Sequence, residues 1–294
     1  FSGITTLSNG NVILVPSFSN NIGIFNPNDT SQSPEGSYFS GPAHGEGGNA
    51  FSGAVETSNG KVILIPYDSS HVGIFNPNDT TDTAYGSYTS GDVHGEGIGA
   101  FVGGTKLSTN DKIVFVPFKS TNVGVFDVND TSSDLNGTYF SADTHGKANN
   151  AFSNGVTISD SKVIFVPRNS DNVGIFDATD ITNSPYGTYS DGDAHLEGDN
   201  SFSDGVVVEI PDKTVIFSPR SSANIGIYNP QNDVYTSGPA HNEGGSAFFG
   251  TAKTENNTVV FAPENSLNVG LYKKVKSQFL LRNPETGITE GVDY

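Results

Sequence analysis

The chain has 294 residues, 34% of them hydrophobic, with 32 acidic against 14 basic side chains, a formal net charge of −18 and no cysteine, methionine or tryptophan. Without cysteine there is no disulfide framework, thiolate nucleophile, zinc ribbon or iron–sulfur cluster. The acidic balance argues against nucleic acid as a partner, and against direct insertion into or attachment to an anionic membrane.

No stretch approaches the roughly 18 continuous apolar residues of a membrane span, and none has the basic-then-apolar layout of a signal peptide. The missing initiator methionine leads us to expect a processed product, a fragment or an excised domain, part of a larger chain or assembly.

From the first residue onward the sequence repeats with a period near fifty. Units open at Phe1, Phe51, Phe101, Phe152, Phe202 and Phe248. In each, a proline follows (Pro16, Pro66, Pro117, Pro167, Pro219, Pro263), and seven residues later a glycine (Gly23, Gly73, Gly124, Gly174, Gly226, Gly270). Phe-to-Pro reads as two short apolar strands joined by a tight two-residue turn, Asn9-Gly10 and Asn59-Gly60 in the first two units. Asn110-Asp111, Asp160-Ser161, Asp212-Lys213 and Asn256-Asn257 stand there in the others. The glycine lies on a third strand, such as HVGIFNP, and a Pro-Asn-Asp-Thr loop leads to a fourth around GSYTSG. Five units continue to a tyrosine (Tyr38, Tyr88, Tyr139, Tyr189, Tyr235) and a histidine six residues on. No segment sustains a 3.6-residue period, so helix content is expected to be very low.

Six copies of a four-stranded unit predict an all-β, six-bladed β-propeller of four-stranded antiparallel blades over residues 1–272. The segment 273–294 is expected to complete the last blade or to lead to another module. The units resemble kelch or galactose-oxidase-type blades: an innermost strand such as AFSGAVETSNG, a second such as KVILIPY, a third carrying IFNP (24–27 and 74–77), and an aromatic on the fourth. Two family marks differ. A proline-containing segment replaces the paired glycine after the second strand, and tyrosine replaces the fourth-strand tryptophan. The family's cysteine–tyrosine oxidase cofactor has no counterpart in a chain without cysteine.

With that strand order, the loops from strand two to three and from strand four to the next blade open on one face. That face carries His44, His94, His145, His195 and His241, with Glu46, Glu96, Glu197 and Glu243 two residues after four of them. Imidazole and carboxylate suit divalent metals. Repetition in every blade that has the loop instead predicts a structural ring in which histidine bridges adjacent blades through loop backbone. Protonation of these histidines below about pH 6.5 would move the face from acidic toward neutral.

Departures from the repeat are where a specific function should show. His71 replaces an asparagine (Asn21, Asn122, Asn172, Asn224, Asn268), and with Tyr67 and Arg168 it is the set an enzyme would use. Lys119, Arg168 and Arg220 place positive charges on the loops of units three, four and five; with His71 they form the candidate ligand-binding face. Asn154 and Asp204, extra residues before the first-strand glycine, leave calcium in the central channel as the one cofactor still open. Asn28, Asn78, Asn129, Asn136 and Asn256 each stand in an Asn-x-Thr glycosylation triplet.

The expectation is a non-catalytic binding module: adhesion, recognition of a glycan or protein ligand on the loop face, or structural assembly, in an extracellular, cell-surface or virion setting. The alternative is a carbohydrate-active enzyme, a polysaccharide lyase or hydrolase using the same face.

Overall fold

The computed structural model describes residues 1–108, 110–209 and 212–274, and the backbone of 278–282 and 289–293. Among them there is no α-helix. Four strands, β1 (Gly3–Thr6), β2 (Val12–Val15), β3 (Asn21–Asn26) and β4 (Ser37–Ala43), pair in chain order as blade 1. Blade 2 is β5 (Phe51–Glu56), β6 (Val62–Pro66), β7 (His71–Asn76) and β8 (Ser87–Val93); blade 3 is β9 (Phe101–Lys106), β10 (Lys112–Pro117), β11 (Asn122–Asp127) and β12 (Thr138–Thr144). Blade 4 is β13 (Phe152–Thr157), β14 (Lys162–Pro167), β15 (Asn172–Asp177) and β16 (Thr188–Ala194). Blade 5 is β17 (Phe202–Val208), β18 (Thr214–Pro219), β19 (Asn224–Asn229) and β20 (Val234–Ala240). Blade 6 has three described strands, β21 (Phe248–Lys253), β22 (Thr258–Pro263) and β23 (Gly270–Lys273). The fold is an all-β, six-bladed β-propeller.

The chain divides into two compact units, Phe1–Gly192 and Asp193–Tyr294. Neither QFLLR nor the last described strand pairs with β23. β24 (Gln278–Arg282) and β25 (Thr289–Asp293) pair with each other in a two-stranded sheet, and the rest of the 275–294 segment lies outside the described residues. Leu271 on the third strand of blade 6 and Val269 just before it are 69% and 59% exposed, whereas Val123 and Val125 on the third strand of blade 3 are fully buried.

The core lies between blades. In the first unit, Ile22 and Ile24 of blade 1 meet Phe51, Val62, Leu64 and Phe75 of blade 2. Ile63, Ile65, Val72 and Ile74 of blade 2 meet Phe101, Ile113, Phe115 and Phe126 of blade 3, and the same pattern joins blades 3 and 4. Both faces of strands two and three are thereby covered, which is why they read as unbroken apolar runs rather than alternating ones. The repeat's opening phenylalanine occupies the centre: Phe101 is buried, with its ring 5.3 Å from Phe115, a burial worth about 2–3 kcal/mol. The third-strand glycine follows from it, because a Cβ on Gly73 would lie 2.7 Å from the Phe51 ring.

The first turn of blades 1, 2, 4 and 6 is longer than a two-residue hairpin. Glu56 pairs with Val62 and Thr57 N–H donates to Lys61 O at 2.8 Å, so Ser58-Asn59-Gly60 forms a three-residue connection. Its last residue is left-handed, Gly60 at φ +81°. Asn-Gly serves here as the end of a three-residue turn, which places its glycine at the left-handed position. Asp111 and Asn257 take that conformation in blades 3 and 6, at φ 56° and 59°.

Candidate functional site

The repeated histidine sits where the chain leaves one blade for the next. His94 Nε2 lies 2.7 Å from the carbonyl oxygen of Ser69, and the Glu96 backbone N–H donates to His94 Nδ1 at 3.1 Å. A carbonyl only accepts and an amide only donates, so the ring is the neutral tautomer with its proton on Nε2. His44 and His145 in the first unit, and His241 in the second, repeat both contacts. His195 accepts from the Glu197 N–H at 3.1 Å. Burial pushes the His94 and His145 imidazoles below the ordinary histidine range. With both nitrogens engaged, these four rings have no lone pair for a metal and no open position for proton transfer.

The expected bridge between blades is divided between two residues. The histidine's hydrogen bonds stay within its own blade, because Ser69 belongs to the β6–β7 loop and His94 follows β8; its ring packs on the next blade, 5.7 Å from Phe101 and 5.9 Å from Tyr139. The polar crossing is made by the glutamate two residues on. Glu96 accepts from Ser120 Oγ at 2.9 Å, Tyr139 OH at 3.2 Å and Ser141 Oγ at 2.7 Å, with Asn122 Nδ2 at 3.3 Å, all in blade 3. Glu46 repeats this with Ser69, Tyr88 and Ser90 of blade 2. In the second unit, Glu197 holds Ser222, Asn224, Tyr235 and Ser237, and Glu243 holds Ser266 and Asn268. Burial alone would raise the Glu46 and Glu197 carboxyls, but the hydroxyl donors outweigh it and hold both below the ordinary range. Burial and the neighbouring carboxylate push Tyr88, Tyr139 and Tyr235 upward, so their hydroxyls remain donors.

One crossing is built with the opposite charge. Lys147 stands where the other loops have glutamate, and Asp191 stands where Ser90 and Ser141 lie in their blades. Lys147 Nζ meets Asp191 Oδ2 at 2.7 Å and Asn172 Oδ1 at 3.2 Å, and Tyr189 OH donates to Asp191 Oδ1 at 2.8 Å. The charge reversal at one position is matched by its partner across the blade gap.

His71 belongs to this frame as well. At the asparagine position its Nδ1 lies 3.4 Å from Glu46 Oε2, and 3.1 Å from Ser70 Oγ. Tyr67 instead faces Phe118 on blade 3, ring centroids 5.8 Å apart, and the Arg168 guanidinium of blade 4 lies 5.5 Å over the other partner of that pair, Phe118. Tyr67, Phe118 and Arg168 are equivalent residues, each directly after the second-strand proline, and they make a continuous row over three blades. Lys119, one position further on, is exposed beside Gly99. In the second unit Arg220 is held by Glu264 through two 3.0 Å bonds and stacks at 5.3 Å on Phe249. Sequence reasoning passed over Phe118, Phe18 and Ile98; the last two, 78% and 71% exposed, stand on the same face of the first unit. A large apolar residue in a polar loop was the available signal.

Asp204 Oδ2 accepts from Thr251 N–H at 2.7 Å and Thr251 Oγ1 at 2.9 Å, and Asn154 Oδ1 accepts from the Gly155 N–H at 2.8 Å. Both extra residues of the first strand therefore make local or neighbouring-strand bonds. Among the described residues no group of three or more His, Asp or Glu side chains is gathered as metal ligands. Asn28, Asn78, Asn129 and Asn256 are exposed, whereas Asn136 is half-buried and accepts from Lys61 Nζ at 3.2 Å.

No protein-family model and no curated protein matches the chain. Solved structures do resemble it. Virginiamycin B lyase from Staphylococcus aureus superposes with a TM-score of 0.68 at 15% identity, over 100% of this chain and 84% of that one. An auxiliary nutrient binding protein from Bacteroides ovatus gives 0.59 at 11% identity, over 92% and 69% of the two chains. A fungal alcohol oxidase of the AA5 family, in complex with copper, gives 0.61 at 12% identity, over 90% and 58%. Likeness at these identities establishes the propeller fold.

Proposed function

We propose that this chain is a non-catalytic recognition module of an extracellular, cell-surface or virion setting, built on kelch-like blades, that takes a ligand bearing acidic groups on the histidine-loop face. The observation that carries this reading is the contrast between positions. The His, Glu, Ser and Tyr side chains of that face recur and tie blade to blade, whereas the two residues after the second-strand proline differ among the four blades of the first unit: Ser17-Phe18, Tyr67-Asp68, Phe118-Lys119, Arg168-Asn169. A fixed frame that presents unlike side chains at equivalent places is how repeat proteins build binding surfaces. Aromatic rings beside Arg and Lys are the residue types that anchor such contacts. A carboxylated or sulfated glycan, or an acidic protein loop, supplies the complementary charge.

A glycan array containing carboxylated and sulfated sugars, with pull-downs against surface proteins, tests this. Binding that is lost in Lys119→Glu and Arg168→Glu supports it. No ligand in either assay, together with turnover of a polysaccharide that requires His71, would favour the lyase or hydrolase reading.

A further inference from the structure

On the opposite face, where the β1–β2 and β3–β4 connections of blade 1 meet the β7–β8 loop of blade 2, the first unit holds a cavity of about 420 Å³. That volume lies within the roughly 300–1,000 Å³ of small-molecule sites. Its polar lining comes from Asn9, Asn11, Asn26, Asp29 and Ser31, and its apolar wall includes Tyr85. The cavity coincides with a difference among the blades of the first unit. The residue immediately before the register-equivalent Val62, Ile113 and Val163 is lysine in blades 2, 3 and 4: Lys61, Lys112 and Lys162. Lys61 reaches across to Asn136 of blade 3 at 3.2 Å, and Lys112 and Lys162 pair with Asp127 and Asp177 at 3.4 and 3.3 Å. Blade 1 has the short Asn11 instead, so no long cationic arm enters the space. Opposite it, blade 2 supplies Tyr85 where blade 3 has Asn136. Tyr85 stacks on Phe39 at 4.5 Å and 22° and remains 41% exposed.

We propose that this groove binds a neutral pyranose, an uncharged sugar residue stacked on Tyr85 and held by the asparagine amides. An amide both donates and accepts, which matches a pair of neighbouring sugar hydroxyls. The Oδ1 atoms of Asn9 and Asn26 already accept from the backbone N–H groups of Asn11 and Asn28, both at 2.9 Å, which leaves their Nδ2 groups as donors. Asn11's own amide has no hydrogen-bond partner among the described residues. The lining contains no Lys, Arg or His, and Asp29 is kept ionised by donors from Ser31. A phosphate or carboxylate ligand would therefore meet repulsion without a counter-charge. The face, the residues and the charge preference all differ from those of the acidic-ligand surface, so either site stands if the other fails.

The test uses the full chain with the methyl glycosides of glucose, galactose, mannose and fucose, followed by saturation-transfer NMR and calorimetry. At least one binds saturably at millimolar concentration. Asn11→Lys, which restores the arm of the sister blades, weakens it about tenfold or more. Tyr85→Asn, the blade 3 residue, does the same, and Tyr186→Asn in blade 4 leaves the affinity unchanged. If N11K unfolds the chain, Y85N decides alone. Absence of binding by all four glycosides, unchanged affinity in the folded variants, or preference for glucuronate over the neutral sugars would overturn the proposal.

Discussion

Replacing Lys147 by glutamate asks whether the polar crossing between blades is held by matched charge. The Lys147–Asp191 pair is 2.7 Å long with side chains 21% and 47% exposed, so its loss alone costs about 0.5–1 kcal/mol. Lys147→Glu also sets two carboxylates against each other. At about 4 Å and an effective dielectric near 20 the repulsion approaches about 4 kcal/mol, and rotation of the half-exposed side chains into water reduces this to about 2. The single variant should therefore lose about 2–3 kcal/mol, a large part of the roughly 5–15 kcal/mol that keeps a domain folded. Asp191→Ser alone should cost about 1 kcal/mol. The double variant K147E/D191S recreates the Glu96 arrangement, with Tyr189 and Asn172 positioned as Tyr139 and Asn122 are. It should return to within about 1 kcal/mol of the parent, a coupling measurable by a double-mutant cycle in urea. A double variant as unstable as the sum of its singles would refute the matched-charge account.

Three further outcomes follow from the same geometry. Stability should fall on acidification: His94 and His145 are held below their unfolded range, so the unfolded chain binds the extra protons, and stability begins to decline as pH drops through about 6.5. Glu46 and Glu197, held low, add a second loss as pH falls through the usual carboxylate range near about 4.3; urea midpoints that rise from neutral pH down through the histidine range would contradict the first loss, and midpoints that rise on further acidification through the carboxylate range the second. Gly137→Ala should lose about 3 kcal/mol or more, because Gly137 has φ +134° and its Cβ would stand 2.4 Å from the Phe126 ring; a thermal melt within two degrees or so of the parent would count against it. His94→Ala should lower the melting temperature more than His71→Ala does, since His94 is buried with both nitrogens bonded while the His71 side chain is 36% exposed. Equal losses in the two melts would place both residues in one role.

The blades were legible because repetition multiplies a weak signal: one Phe–Pro–Gly spacing says little, whereas six aligned copies define strands and their order. After Tyr272 the sequence has no matching tyrosine and histidine, and among the described residues no fourth strand pairs with β23. The turn length was not legible, since Asn-Gly ends two-residue and three-residue connections alike. At the candidate site, spacing revealed that histidine and glutamate act together, but which of them crosses the blade gap depends on side-chain direction. Arg168 and Arg220 read as equivalent free charges; in space one lies over Phe118 and the other is bonded to Glu264. The blade 1 cavity was equally hidden, because Asn11 becomes informative only once it is aligned with the lysines of its sister strands by register.

The most direct test measures urea midpoint and acidic-glycan affinity on two single variants of the full chain, Glu96→Gln and Lys119→Glu. The account predicts that E96Q lowers the midpoint while the folded protein keeps its affinity, and that K119E keeps the midpoint and loses the affinity. The reverse pattern, with affinity depending on Glu96 and stability on Lys119, would contradict the division of this face into a repeated frame and an unrepeated binding surface.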